Sequence, residues 1–285
     1  MDCCPVAVYI IIINKNTYEG MGIKMSEKRY TINDLLEIME TLRSPNGCPW
    51  DKVQTHESIK KSMIEESYEA IDALDSGDDK AFANELGDVL LQVVFHAQIA
   101  KERNAFDFDD VVNEICTKLV TRHTHVFGKE HAGDEKEALD NWEKNKKKEK
   151  GLKTYTETLR DVPKYYPALM RAEKVQKKAK GAGFDWDNIE DVYAKVYEEA
   201  DEIKEAQANG TAADVEEEYG DFLFAAVNLG RFLGVTPETA LTKASEKFIR
   251  RFEKMENKAK ADGKELSSMS LDEMDRIWDE IKHLS

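Results

Sequence analysis

Two sets of acidic residues share one spacing: Glu65-Glu66-x-x-Glu69 with Glu85-x-x-Asp88, and Glu198-Glu199-x-x-Glu202 with Glu218-x-x-Asp221. Each acid of the second set lies 133 residues after its counterpart in the first. Five unchanged spacings point to an internal duplication. Residues three or four apart share a helix face, so each set supplies two carboxylate pairs, one from each of two successive helices. Asp75-Ser76-Gly77-Asp78-Asp79 reads as the turn between them, with Gly77 ending one helix and an Asp capping the next. In the second copy Asn209-Gly210-Thr211 takes that place. The paired helices then run antiparallel, and four carboxylates meet across their seam. Like charges held that close raise one another's pKa unless a cation neutralises them. Oxygen ligands without Cys or His suit a hard ion, Mg2+ or Mn2+. A single ExxE is ordinarily a solvated helix face, but repetition of the whole constellation with its turn favours a metal site.

The elements that must position these acids are legible around them. Leu86, Val89, Leu90, Val93 and Val94 recur at helical spacing beside the first acidic stripe, and Phe222, Leu223, Ala226 and Val227 repeat the arrangement. Both helices are thus expected to present a core face and a separate site face. Asn33-Asp34 reads as the cap of a first helix that ends near Ser44-Pro45. Further helices are predicted near 55–74, 79–102, 107–123, 134–148, 168–180, 188–208, 211–233, 237–261 and 271–283. With 6 Pro and 15 Gly spread thinly over 285 residues, strands have little support and the expected class is all-α. The length allows two modest domains, read as 25–143 and 161–285. They are joined by a linker over 144–160 that contains Lys146-Lys147-Lys148 and Gly151.

The acidic pattern, the upstream Gly47-Cys48-Pro49-Trp50-Asp51-Lys52 and the later Gly183-Phe184-Asp185-Trp186 together resemble the two-domain MazG nucleoside triphosphate pyrophosphohydrolases. The resemblance runs from about Tyr30 to the C-terminus. It implies tandem all-α helical-bundle domains, a Mg2+ requirement, hydrolysis of nucleoside triphosphates to monophosphate and pyrophosphate, and a homodimer in which helices of two subunits complete the site.

A role can be written for each acid and for the cations that follow it. Glu199, Glu202, Glu218 and Asp221 are the expected metal ligands, with Glu198 as the base that orients water or as a partner of the ligands. Glu65, Glu66, Glu69, Glu85 and Asp88 form the matching set. A metal on such carboxylates lowers the pKa of bound water and positions a polyphosphate for in-line attack. The triphosphate also needs positive charge, and Lys243, Lys247, Arg250 and Arg251 fall within about two turns of one helix. Trp278 and Lys282, spaced i, i+4, recur as Trp142 and Lys146. The two copies differ where the second has Asn228 and Lys243 and the first has Phe95 and Glu114. This contrast favours the C-terminal copy as the stronger catalyst.

Composition limits the alternatives. A net charge of −16, with 34% charged residues, opposes a nucleic-acid partner, because phosphate backbones would be repelled. Cys3 and Cys4 are adjacent, while Cys48 and Cys116 stand alone, so the four cysteines make neither a disulfide framework nor a zinc pattern and fit a reduced cytoplasm. The apolar run Val6 to Ile13 is too short to span a bilayer and lacks a preceding basic residue, so no membrane anchor or export signal is expected. Residues 1–24 read as an extension, with Met21 and Met25 as alternative starts. Two other function classes remain on these residues: a narrower all-α relative acting on dUTP or phosphoribosyl-ATP, and a non-catalytic helical protein with a structural metal.

Overall fold

A computed structural model describes residues 29–283, so the expected extension over 1–24 lies outside the described residues. Among the described residues the regular elements are twelve α-helices and two short 3-10 turns. Two compact units are formed, divided between Gly133 and Asp134.

Unit 1 contains α1 Ile32–Arg43, α2 Lys60–Ser76, α3 Asp79–Glu102, α4 Phe108–Arg122 and the single turn α5 Thr124–Phe127. The first helix is capped by Thr31 rather than by Asn33-Asp34. Thr31 Oγ1 accepts from the Asp34 amide, and the Asp34 carboxylate accepts from the Thr31 amide at 2.8 Å, which closes a capping box. α2 begins later than expected because Thr55 and Ser58 hydrogen-bond each other's amides, at 2.9 and 3.2 Å, and hold that stretch in a turn. α2 ends at Gly77, whose φ of 74° is the left-handed region that glycine enters without steric cost, and Asp78 then accepts from the amides of Lys80 and Ala81 to cap α3. α2 and α3 pack along their lengths as the antiparallel pair that the acids require. Met39, Ile59, Val94, Phe95 and Ile99 form the buried core, with Trp50 and Phe108 against it.

Unit 2 contains α6 Glu135–Glu149, α7 Tyr155–Arg160, α8 Ala168–Lys180, α9 Ile189–Asn209, α10 Ala212–Phe232, α11 Pro237–Ala261 and α12 Leu271–His283. The stretch 144–160, expected as linker, is largely helical. Asp134 caps α6, Glu135 and Glu137 occupy its first turn, and Lys146, Lys147 and Lys148 occupy its last, a distribution that suits the helix dipole. Thr154 and Glu157 then form the capping box of α7. Thr211 and Asp214 box the start of α10, so α9 and α10 repeat the antiparallel pair of unit 1. Met255, Ile277 and Ile281 make a second core, between α11 and α12.

The apolar stripes beside the acids are only partly internal. Val94 and Val227 are buried, but Leu86, Leu90 and Leu223 stay exposed. In unit 1 they are joined by exposed Ile64, Tyr68, Ile71 and Leu74 on α2 and by Ile115, Leu119 and Val120 on α4. No helix among the described residues is long and apolar enough to cross a membrane.

Candidate functional site

Each helix pair gathers carboxylates. In unit 2, Glu199 and Glu202 of α9 and Glu218 of α10 each place one oxygen within 4.8 Å of the others. In unit 1 the corresponding group is Glu66 of α2 with Glu85 and Asp88 of α3. Three of the four expected ligands meet in unit 2, and three of the five acids of the matching set meet in unit 1, where Glu65 and Glu69 lie outside the group. Asp221 is exposed and lines a neighbouring cavity, whereas Glu69 is exposed on α2. Glu199 is 5% exposed, and its Oε2 is buried without a hydrogen-bond partner, a state that a ligating cation would relieve.

Proton affinities follow from this crowding. Burial, and then Asp88, Glu69, Glu85 and Glu65, push the Glu66 carboxyl up to about 7. Asp88 is raised by burial and by Glu85. Glu202 and Glu218 are raised by burial and then by Glu199, a trend that Lys195 opposes. Lys195 lies one turn before Glu199 and contacts it at 2.6 Å, with Glu198 at 3.0 Å. These hydrogen bonds hold its ammonium well above the usual lysine range. The equivalent position in unit 1 is Ser62, so that cluster has no matching lysine. Glu65 instead pairs outward with Lys61 at 2.6 Å. Lys195 was not singled out in the sequence, although the repeat could have exposed it: Lys-x-x-Glu-Glu in one copy is Ser-x-x-Glu-Glu in the other.

A consequence can be measured. In metal-free protein, folded Glu66 keeps a proton that the unfolded chain releases near 4.5, so this stabilising contribution is lost as pH rises toward about 7. A divalent ion binds the ionised set and reverses that loss. The rise in melting temperature on adding Mg2+ or Mn2+ is therefore expected to be larger at about pH 8 than at about pH 5.5. Equal rises at both would contradict the assignment of this cluster as a metal centre.

Beside the unit 2 cluster is a cavity of about 560 Å3, whose lining includes Lys195, Glu199 and Asp221 together with Phe184, Trp186, Asn228 and Arg231. Gly183, with φ of 84°, turns the chain after α8 so that Phe184 and Trp186 reach its wall. Asp185 is bound by Arg231, whose Nη1 donates to Oδ2 at 3.0 Å while Nη2 donates to Oδ1. Burial opposes the Asp185 charge, yet Arg231 and Lys180 hold its carboxyl below the usual range. The other Trp motif has a different fate. Trp50 packs edge-on against Phe95, with ring centroids 6.4 Å apart, and Arg43 lies 5.2 Å from the Phe95 ring centre. The residue equivalent to Asn228 thus fills unit 1 where unit 2 is open.

The remaining expected site residues lie on α11 and α12, and none is among the residues that line this cavity. Lys243, Lys247 and Arg250 are exposed, while Arg251 is half-buried with its Nε unpartnered. Trp278 packs 5.1 Å from Phe248 beside the α11–α12 core, and Lys282 pairs with Asp279 at 2.7 Å. Glu114 on α4 pairs with Lys118 at 3.6 Å. Lys146 sits 4.7 Å over Trp142 within α6, which belongs to unit 2.

Comparison with known proteins agrees with the duplicated architecture. The MazG nucleotide pyrophosphohydrolase domain matches twice, over residues 54–127 and 188–255, and each segment contains one acidic set. The chain is 46% identical over 258 residues to the nucleoside triphosphate pyrophosphohydrolase/pyrophosphatase MazG of Thermotoga maritima, an alignment that spans 90% of this chain and 98% of that protein. It is 46% identical over 254 residues to the nucleoside triphosphate pyrophosphohydrolase of Escherichia coli, covering 88% and 97% of the two chains. An uncharacterised protein of Bacillus subtilis, YabN, is 48% identical over 246 residues, which cover 86% of this chain and half of YabN. With two matching segments, each built on an antiparallel pair that gathers carboxylates, the chain belongs to the MazG nucleotide pyrophosphohydrolase family.

Proposed function

We propose that this chain hydrolyses nucleoside triphosphates, ribo- or deoxyribo-, to the monophosphate and pyrophosphate, with unit 2 as the principal catalyst. The observation that carries this reading is the carboxylate group of Glu199, Glu202 and Glu218 adjoining a nucleotide-sized cavity with an aromatic wall. The donor set fits Mg2+, with Mn2+ as a substitute: carboxylate oxygens from two helices, one buried and unpartnered. When bound there, such an ion polarises a phosphoryl oxygen and acidifies water. Asp221, one turn beyond Glu218, is assigned as a further oxygen ligand.

The side chains divide the remaining work. Lys195 neutralises Glu198 and Glu199, and with Glu199 it lines the cavity. Glu198 is the more exposed of the two and is assigned to take the proton of the attacking water. The water oxygen forms a bond to the α-phosphorus, the bond from that phosphorus to the bridging oxygen breaks, and pyrophosphate leaves.

Lys243, Lys247, Arg250, Arg251, Trp278 and Lys282 are assigned to the polyphosphate and leaving group through a second copy of the chain, since none lines the cavity of its own unit. Exposed Leu86, Leu90, Ile64, Ile71 and Leu74 of unit 1, and Tyr197, Tyr219 and Leu223 of unit 2, support a homodimer in which these faces are covered. Light scattering is expected to give twice the 32.5 kDa chain mass, and a monomer at micromolar concentration would refute the dimer. The net charge of −16 supports neither a nucleic-acid nor a membrane partner, and free Cys48 and Cys116 suit the cytoplasm.

Assay of the eight common NTPs and dNTPs with Mg2+, before and after exhaustive chelation, tests the proposal. Monophosphate and pyrophosphate are expected as products, with turnover lost on chelation and restored by metal. Full turnover in the chelated protein would overturn it.

A further inference from the structure

The unit 2 cavity contains polar groups that the hydrolytic step does not use. Asn228 lies seven residues beyond Asp221 on α10, a rise of about 10 Å, comparable to the reach from an α-phosphate across the ribose to the base. Its Oδ1 accepts from Arg231 Nε at 3.0 Å and from Nη2 at 2.7 Å. A guanidinium only donates, so the amide oxygen of Asn228 is committed to Arg231 and its NH2 is what remains for a ligand. Arg231 is fixed in turn by Asp185, with side-chain exposures of 8% and 14%.

Gln176 of α8 is the second such group. It is 7% exposed, lines the same cavity, and donates from Nε2 to the Phe224 carbonyl at 2.7 Å. A carbonyl only accepts, so Gln176 Oε1 is the free end, and it is buried without a partner. Neither amide can turn over without setting donor against donor or acceptor against acceptor. The cavity lining therefore includes one amide whose NH2 is left over and one whose buried oxygen no group of the chain satisfies, together with Phe184, Trp186, Val175 and Ala179.

We propose that Asn228 and Gln176 determine base specificity, the first donating to and the second accepting from the nucleobase edge while Trp186 and Phe184 contact its face. This inference rests on the nucleotide reading of the site given above. Adenine and cytosine place an exocyclic amino donor beside a ring-nitrogen acceptor, whereas guanine and uracil place an exocyclic carbonyl acceptor beside a ring N–H donor. In a given seat the fixed pair complements one order and opposes the other, so the cavity separates the amino bases from the keto bases. Unit 1 has Phe95 and Gln98 at the positions of Asn228 and Arg231, with the Gln98 amide donating to Glu102 at 3.1 Å, so the device is confined to unit 2.

The test combines turnover and binding in the full-length protein. For wild type, kcat/KM is expected to separate ATP and CTP from GTP and UTP by about tenfold or more. Asn228→Asp replaces the donor by an acceptor at constant shape, and Gln176→Met removes the acceptor at similar volume. Each is expected to narrow or reverse that ratio by about tenfold. An equal loss for all four substrates in both variants overturns the proposal, and Gln176→Met decides alone if Asn228→Asp does not fold. Calorimetric titration with the four nucleoside monophosphates and Mg2+ reads the base site without hydrolysis. Protein that turns over no triphosphate yet sorts the monophosphates refutes the reaction and upholds the base site, while equal affinity for all four refutes the base site.

Discussion

Glu199→Gln is expected to lower triphosphate turnover by about 10²-fold or more, while Glu66→Gln costs less than about tenfold. Both substitutions remove one carboxylate charge at nearly constant volume, so the difference isolates the surroundings. Glu199 is buried, adjoins the open cavity and is held by Lys195 at 2.6 Å. Glu66 has a comparable carboxylate neighbourhood, but Ser62 replaces the lysine and Phe95 fills the place where unit 2 has Asn228. Steady-state kinetics on ATP and GTP with saturating Mg2+ make the comparison. Equal losses would mean that both units turn over substrate or are tightly coupled, and a larger loss from Glu66→Gln would reverse the assignment of unit 2.

The second large effect concerns stability. Arg231 and Asp185 form an ion pair that is mostly buried, and Asn228 shares the same guanidinium. Arg231→Met leaves the mostly buried Asp185 carboxylate with only the longer contact to Lys180, at 3.4 Å, and is expected to cost about 3 kcal/mol, which corresponds to about 6 °C or more in melting temperature. Adding Asp185→Asn removes the stranded charge and should recover a large part of the loss. Calorimetry on the two variants settles the matter. A single variant that melts within about a degree of wild type would show that the pair is worth little.

The all-α class, the paired helices and the duplicated carboxylates could be read from the sequence because they depend on local periodicity. A 3.6-residue repeat and a turn such as Asp75 to Asp79 specify a helical hairpin whatever surrounds it. Helix starts were less legible where side chains competed for backbone amides. Thr31 displaced Asn33-Asp34 as a cap, and the Thr55–Ser58 turn delayed α2 until Lys60. The region 144–160 reads as linker from its lysine run, yet α6 continues through it to Glu149 and a further capped helix follows from Tyr155.

Other features depend on distance in space. The Asp185–Arg231 pair joins residues 46 apart, and Gln176 reaches α10 from a separate helix, so no spacing rule reports either. Leu86, Leu90 and Leu223 looked internal because a helix stripe does not say whether its cover comes from the same chain. Likewise, spacing places the basic residues of α11 after the acids in sequence, but they are not among the residues that line the cavity of their own unit.

In the proposed reaction, water activated beside Glu198, Glu199, Glu202 and Glu218 attacks the α-phosphorus. Hydrolysis of ATP in 18O-labelled water, followed by mass spectrometry of the products, tests it most directly. One 18O is expected in the AMP and none in the pyrophosphate. Label in pyrophosphate, or release of ADP with labelled inorganic phosphate, would contradict it.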